Sequence, residues 1–162
     1  MVSRALKHAL LPPWVAQRPF PARVLKRIEQ AIAASERRHR GELRFAAEGP
    51  LALRELGYST RQRARAVFAQ LDVWDTEENT GVLIYVQLVD RAIEIVADRG
   101  IAARVAQSEW DEVCRAMQAR FRRDEYLEGS LEAIEAVTRI LARHFPPRGD
   151  NPNELPDKPV ML

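Results

Sequence analysis

Two apolar runs set between acidic turns, LDVWDTEENTGVLIYVQLVDRAIEIVADRGI over 71–101, leave this chain few folds to choose from. Residues 82–86 are unbroken apolar and aromatic sequence rich in β-branched side chains, which suits a strand buried on both faces of a sheet. Ala92–Ala97 is a second such run. Between them, 87–91 carries one charged pair, Asp90 and Arg91, where a tight hairpin turns. The strands 82–88 and Ala92–Ala97 are therefore expected as antiparallel neighbours. A hairpin returns the chain to the end it left, so Asp75, Glu77 and Glu78 before the first strand and Asp98 after the second fall at one edge of the sheet.

The rest of the chain reads as cover for those strands. After Pro21, Val24, Leu25, Ile28 and Ile32 recur at helical spacing. That helix ends at Arg37, Arg38, His39, Arg40 and Gly41, where the cations suit the helix dipole and Gly41 suits a left-handed cap. Glu42–Glu48 alternates, with Leu43, Phe45 and Ala47 on one face, as a half-buried third strand does. Ser59 or Thr60 then caps a helix striped by Ala64, Val67, Phe68 and Leu71, with Arg61, Arg63 and Arg65 at its other positions. Ser108 with Asp111 begins another, whose inner face is Trp110, Val113, Cys114, Met117 and Phe121. A last helix with Leu127, Leu131, Ile134, Val137, Ile140 and Leu141 inward stops at Pro146 and Pro147.

At the N-terminus, 2–11 suits a short amphipathic helix bearing Leu6, Leu10 and Leu11, with Trp14 and Phe20 pinning the arm to the body. The proline-spaced tail is expected either as an extended strap or as disordered chain. The expectation is an α/β fold, a three-layer α/β/α sandwich with a small central sheet of about four strands, mixed or partly antiparallel. It divides into an arm over 1–19, a domain over 20–145 and a tail over 146–162.

With 162 residues and 46% hydrophobic content, the chain suits one domain with a real core. A net charge of +2 with 30% charged residues is not a polybasic surface, so no dedicated nucleic-acid binding is expected. The single cysteine, Cys114, forms no internal disulfide and reads as core. No apolar run is long enough to span a membrane, and a cytoplasmic protein without a transmembrane segment is expected.

Two polar clusters are candidate sites. The carboxylates of Asp75, Glu77, Glu78 and Asp98 are hard oxygen donors of the kind calcium or magnesium needs, and no organic cofactor is expected. The competing reading is of solvated turns, with Asp98 paired to Arg99 or capping the next helix. The second cluster is Glu36, His39 and Glu42, readable as a metal or acid–base constellation or as a helix end where Glu36 touches His39 or Arg40. His8 and His144 read as surface or capping residues, Trp74 and Trp110 as core, and the arginines of 61–65 and 37–40 as a solvated face or a basic patch. No P-loop, Cys-x5-Arg or paired-histidine motif is present.

The order helix, strand, helix, acidic turn, NTGVLIYV, short turn, DRAIEIVADRGI, then two helices resembles the TPM domain family, and in particular its small bacterial members without a membrane anchor. The resemblance runs from Phe20 to Phe145. It is most specific at 79–85, at Asp90 with Arg91, and in the helix from Trp110 to Phe121 leading to Tyr126 and Gly129. It implies a sheet sandwiched by helices, with an acidic groove that binds divalent cations, notably calcium, in some members and supports acid phosphatase activity in others. The alternative is a non-catalytic interaction module working with membrane or envelope proteins. The family's common Gly-Tyr-Gly-Leu stands here as Ala97, Asp98, Arg99 and Gly100, its following Asp has no counterpart in Val105, Ala106 and Gln107, and the helix start that usually carries Asp reads Phe20, Pro21, Ala22. A cation site here would therefore draw on Asp75, Glu77, Glu78 and Asp98.

Overall fold

The expected hairpin forms the edge of a four-stranded mixed sheet in the computed structural model, which describes residues 3–162. In chain order the elements are α1 (Arg4–Leu10), α2 (Pro13–Ala16), α3 (Ala22–Glu36), β1 (Glu42–Glu48), α4 (Thr60–Gln70), β2 (Gly81–Gln87), β3 (Ala92–Ala97), α5 (Arg99–Ala102), α6 (Gln107–Phe121), α7 (Tyr126–His144) and β4 (Val160–Met161). The strand order is β3-β2-β1-β4. β3 is antiparallel to β2, as the hairpin requires, while β1 runs parallel to β2 because α4 carries the chain back across the sheet. The fourth strand is supplied by the tail: Val160 and Met161 pair with Ala46 and Ala47 in parallel register.

Alternation along the strands sorts side chains into two cores. Leu43, Phe45, Ala47, Val82, Ile84 and Val86 face α3, α6 and α7 in the larger one. Ala46, Leu83, Tyr85 and Val96 face α4 in the smaller one, joined by Leu155 of the tail. The two helical layers and the sheet are the α/β sandwich the pattern implied. β1 is buried on both faces rather than half-buried, because α4 and the tail cover Arg44, Ala46 and Glu48, a face that looks polar in the sequence.

Several local expectations shift. Gly41 is not left-handed, since no glycine has positive φ among the described residues; a Cβ there would sit 3.2 Å from the Thr80 carbonyl, so close packing is its reason. Ser59 caps α4, paired reciprocally with Gln62, whereas α6 begins at Gln107 with no side-chain cap from Ser108. Trp110 is core, but Trp74 and Trp14 are exposed, so Phe20 alone of the predicted pins is buried. The arm is held instead by polar bonds. Arg4 reaches Asp90 and the carbonyls of Leu56 and Tyr58. His8, expected at the surface, is buried between the Leu51 amide and Asp90. Because His8 Nδ1 accepts from Leu51 N–H, its Nε2 is the nitrogen that donates to Asp90.

Candidate functional site

The sequence-predicted polar residues collect at one end of the sheet, where β1 and β2 begin and β3 ends. Asp98 N–H donates to the Gly81 carbonyl at 2.9 Å, and Gly100 N–H to the Asn79 carbonyl at 3.0 Å, which locks the acidic turn against the start of α5. Gly81 is obligatory here: a Cβ would lie 1.9 Å from the Val73 carbonyl oxygen. Asn79 holds φ 55, a conformation that suits asparagine better than most residues.

The four acidic side chains meet different fates. Asp75 and Glu77 are exposed. Glu78 points outward to Arg40 at 2.7 Å and Arg148 at 3.6 Å, and the bond to Arg40 holds its carboxyl below the usual range. Asp98 is buried. One of its oxygens caps α5 by accepting from Arg99 N–H at 2.7 Å, while the other, Oδ2, has no partner. Only two buried side-chain atoms are unpartnered among the described residues, Asp98 Oδ2 and Arg44 Nε. Beside Asp98, a Cβ on Gly100 would lie 2.6 Å from the carbonyl oxygens of both Glu78 and Asn79, so the acidic turn packs directly on glycine there. Among the described residues, no group of three or more His, Cys, Asp or Glu side chains converges on a metal-sized point. The hairpin thus brings the acidic residues to one edge but does not cluster their carboxylates.

The second cluster is buried as a whole. His39 forms no hydrogen bond to Glu36. Its Nδ1 accepts from Gly41 N–H at 3.2 Å, leaving Nε2 to bond Ser35 Oγ at 2.8 Å, and Ser35 shares a 2.7 Å bond with Thr138. Burial pushes His39 down to about 4, so the ring is neutral. Glu36 is pushed up to about 9 by burial, with Glu42 and Asp157 adding to the effect. Glu42 is raised to about 7 by burial, against the opposing pull of the backbone amides of Leu155 and Glu154. The tail roofs both: Leu155 N–H donates to Glu42 Oε2 at 3.0 Å, Asn151 bonds the carbonyls of Glu36 and His39, and Arg44 donates to the carbonyls of Pro156 and Lys158. Glu154 also accepts from Glu77 N–H at 2.8 Å, which joins this roof to the acidic turn.

One polar constellation escaped the sequence reading. Arg63 is buried rather than part of a solvated face, and it forks onto Glu48 at 2.6 and 2.9 Å while Tyr85 O–H donates to Glu48 Oε2 at 2.5 Å. The available signal was that Glu48 shares a strand face with Ala46, which α4 must cover. Cys114 is partly buried with its thiol pushed up to about 12 by burial, as an inert packing residue has. No helix of the described residues is long and apolar enough to cross a membrane.

Comparison with known proteins gives three findings. A family model described as TPM domain matches residues 20–140. The NMR structure of the BA42 protein from the psychrophilic bacterium Bizionia argentinensis is 31% identical, covers 88% of this chain and 94% of that one, and superposes with a TM-score of 0.78. The solution structure of the N-terminal domain of a P. gingivalis protein is 18% identical over 75% of this chain and 76% of that one, with a TM-score of 0.57, which is a likeness of fold alone. No curated protein matches the chain.

Proposed function

The chain belongs to the TPM domain family, and from that premise we propose that its acidic corner binds one hard divalent cation, calcium or magnesium, with Asp98 as the central ligand. The observation that carries this reading is the buried, unpartnered Oδ2 of Asp98. A carboxylate oxygen removed from water without a donor is costly, and an ion or an ordered water is the usual explanation. The Glu78 and Asn79 carbonyls pack on Gly100, two residues from Asp98, and are oxygens of the kind such ions prefer. With few charged ligands the affinity is expected to be modest. Asp75 and Glu77 act as the negative surround that raises local cation concentration, whereas Glu78 is already paired with Arg40 and Arg148.

The test is thermal unfolding in EDTA, then in calcium or magnesium at fixed ionic strength, for wild type and Asp98→Asn. Asparagine still caps α5, so the variant should fold. Wild type is expected to gain about 2.7 kcal/mol when the ion reaches 100 times its dissociation constant, and Asp98→Asn nothing. A shift that survives the substitution, or none with either ion, overturns the assignment. Hydrolysis of an aryl phosphate by the same samples tests the phosphatase activity that the family resemblance implies.

A second reading, an interaction module for membrane or envelope proteins, is favoured by Leu10, Trp14 and Leu53, exposed by 69%, 63% and 80%. They sit on two segments tied together through His8 and Leu51, and exposed apolar side chains gathered this way mark contact surfaces. Bacterial membrane vesicles are expected to retain the wild-type protein on sedimentation and to lose it with Leu10→Ser/Leu53→Ser. Equal retention of the two, or of wild type on protease-stripped vesicles, counts against a protein partner at this surface.

A further inference from the structure

At the opposite end of the sheet from the acidic corner, a cavity of about 230 Å3 opens between the β2–β3 hairpin, the last turn of α6 and the N-terminal arm. Its apolar lining includes Val86 and Ile93, both buried, and the half-buried rings of Phe121 and Tyr126. Its polar lining includes Arg91, Gln118 and Arg122. Their placement follows from the backbone. Arg91 stands at φ 53 in the hairpin turn, which Gln87 builds by accepting the Val89 and Asp90 amides at 2.7 and 2.9 Å. Gln118 and Arg122 are four apart at the end of α6 and therefore share a helix face across from that turn.

Among the described residues no acid lines the chamber. Of those around it Asp124, exposed beside the rim, accepts from the Tyr126 hydroxyl at 3.4 Å and forms no ion pair, while the others are engaged. Asp90 is held by Arg4 and His8, and Glu125 by Arg120 and Arg123, while Arg120 also takes Glu132. Among the described residues, two guanidinium groups and a carboxamide thus border an apolar chamber whose lining holds no carboxylate, the one unpaired acid beside it, Asp124, standing outside on the Tyr126 hydroxyl. That pairing of a positive rim and an apolar interior complements a ligand with one anionic end and one apolar end. Size narrows it further. The chamber lies below the roughly 300 Å3 at which drug-sized ligand sites begin, which suits a ligand smaller than a nucleotide. At about 30 Å3 for each water-sized group it holds about eight heavy atoms.

We propose that this cavity binds small amphiphilic monocarboxylates, the apolar tail resting on Val86, Ile93 and Phe121 and the carboxylate held by Arg91 and Arg122, with the Gln118 amide as a further donor. The site is independent of the acidic corner and requires no metal.

The experiment is an NMR titration of the labelled full chain in EDTA with hexanoate, which has eight heavy atoms, beside 1-hexanol, hexylammonium and acetate at constant ionic strength. Shifts from hexanoate are expected at Val86, Ile93, Phe121 and Tyr126, with affinity at least about tenfold above hexanol, the ratio that a charge-assisted pair supplies. Acetate and hexylammonium should be weaker still. Arg91→Gly, which the left-handed turn accepts, combined with Arg122→Gln should bring hexanoate down to the hexanol level. Hexanol shifts retained at the same residues would show that the chamber itself survives. Equal binding of hexanoate and hexanol by wild type, acetate matching hexanoate, or hexanoate affinity unchanged in the double variant would each overturn the proposal.

Discussion

Replacing Arg63 with leucine is expected to destabilise the protein by about 3–5 kcal/mol, because it leaves the Glu48 carboxylate buried without its counter-ion. At about 2–4 °C per kcal/mol for a chain of this size, the melting temperature should fall by about 6–20 °C. The fork from Arg63 supplies both Glu48 oxygens with donors, and its third nitrogen lies 3.4 Å from Glu55. Tyr85 remains as a single neutral donor. Its phenol is held well above its ordinary value by burial and by the neighbouring carboxylate, so it cannot replace the lost charge. The cost therefore arises from the group left behind. Removing both charges in Glu48→Leu/Arg63→Leu should recover much of the loss, since an apolar pair of similar volume suits the Ala46, Ala64, Val67 and Leu83 surroundings. Urea midpoints for the two single variants and the double variant measure this directly. An Arg63→Leu effect under about 1 kcal/mol would mean that water reaches Glu48 and the network is not closed.

Stability is expected to fall as pH rises from about 4.5 to 9, opposite in sign to a protein held together by ionised carboxylates. Glu36 binds its proton in the native state up to about 9 but releases it near 4.5 once unfolded. The unfolded chain therefore binds fewer protons than the native one through that window, and the stabilisation present below 4.5 is lost as pH climbs through the folded value. Glu42 acts in the same sense up to about 7. His39 works at the other end. Its native value near 4 lies below the ordinary 6.5, so stability is lost as pH falls from 6.5 through 4. Maximal stability is accordingly expected near pH 4.5, since above it the two carboxyls outweigh the single imidazole. The groups that face Glu36 are the carboxyls of Glu42 and Asp157, and its own charge acts on the buried Arg44. Glu36→Gln keeps an oxygen to accept from Leu43 N–H and cannot ionise. At pH 8 it should therefore exceed wild type by at least about 2 kcal/mol, since each tenfold change in proton affinity between the folded and unfolded states contributes about 1.4 kcal/mol. Parallel urea midpoints for the two proteins from pH 5 to 9 would show that Glu36 ionises freely and that the tail does not seal it.

How much of this was legible follows from which forces act locally. The central hairpin was, because an apolar run, a charged turn and a second apolar run specify antiparallel neighbours without outside help. The helical stripes of α3, α4, α6 and α7 were equally plain, since periodicity fixes which side is buried. The same logic put Asp75, Glu77, Glu78 and Asp98 at one sheet edge. It could not say that Glu78 turns to Arg40, or that Asp98 is buried with one oxygen capping α5 and the other unmatched. Spacing groups Glu36, His39 and Glu42 at one helix end, but their contacts are with Ser35, which Thr138 holds, and with the tail, partners up to 115 residues away.

By itself the sequence determined the local elements, the family and the end of the sheet where charge gathers, because these rest on periodicity, turn chemistry and short-range connection. Only the tertiary structure decided which charged residues are buried. Glu48 and Arg63 become a matched pair because α4 lies across β2 and β3 and sends Arg63 onto β1, Glu36 holds its proton because the tail closes over it, and His8 becomes interior because the arm folds onto 49–58. Solvation depends on what covers a side chain, and that cover is brought from distant parts of the chain.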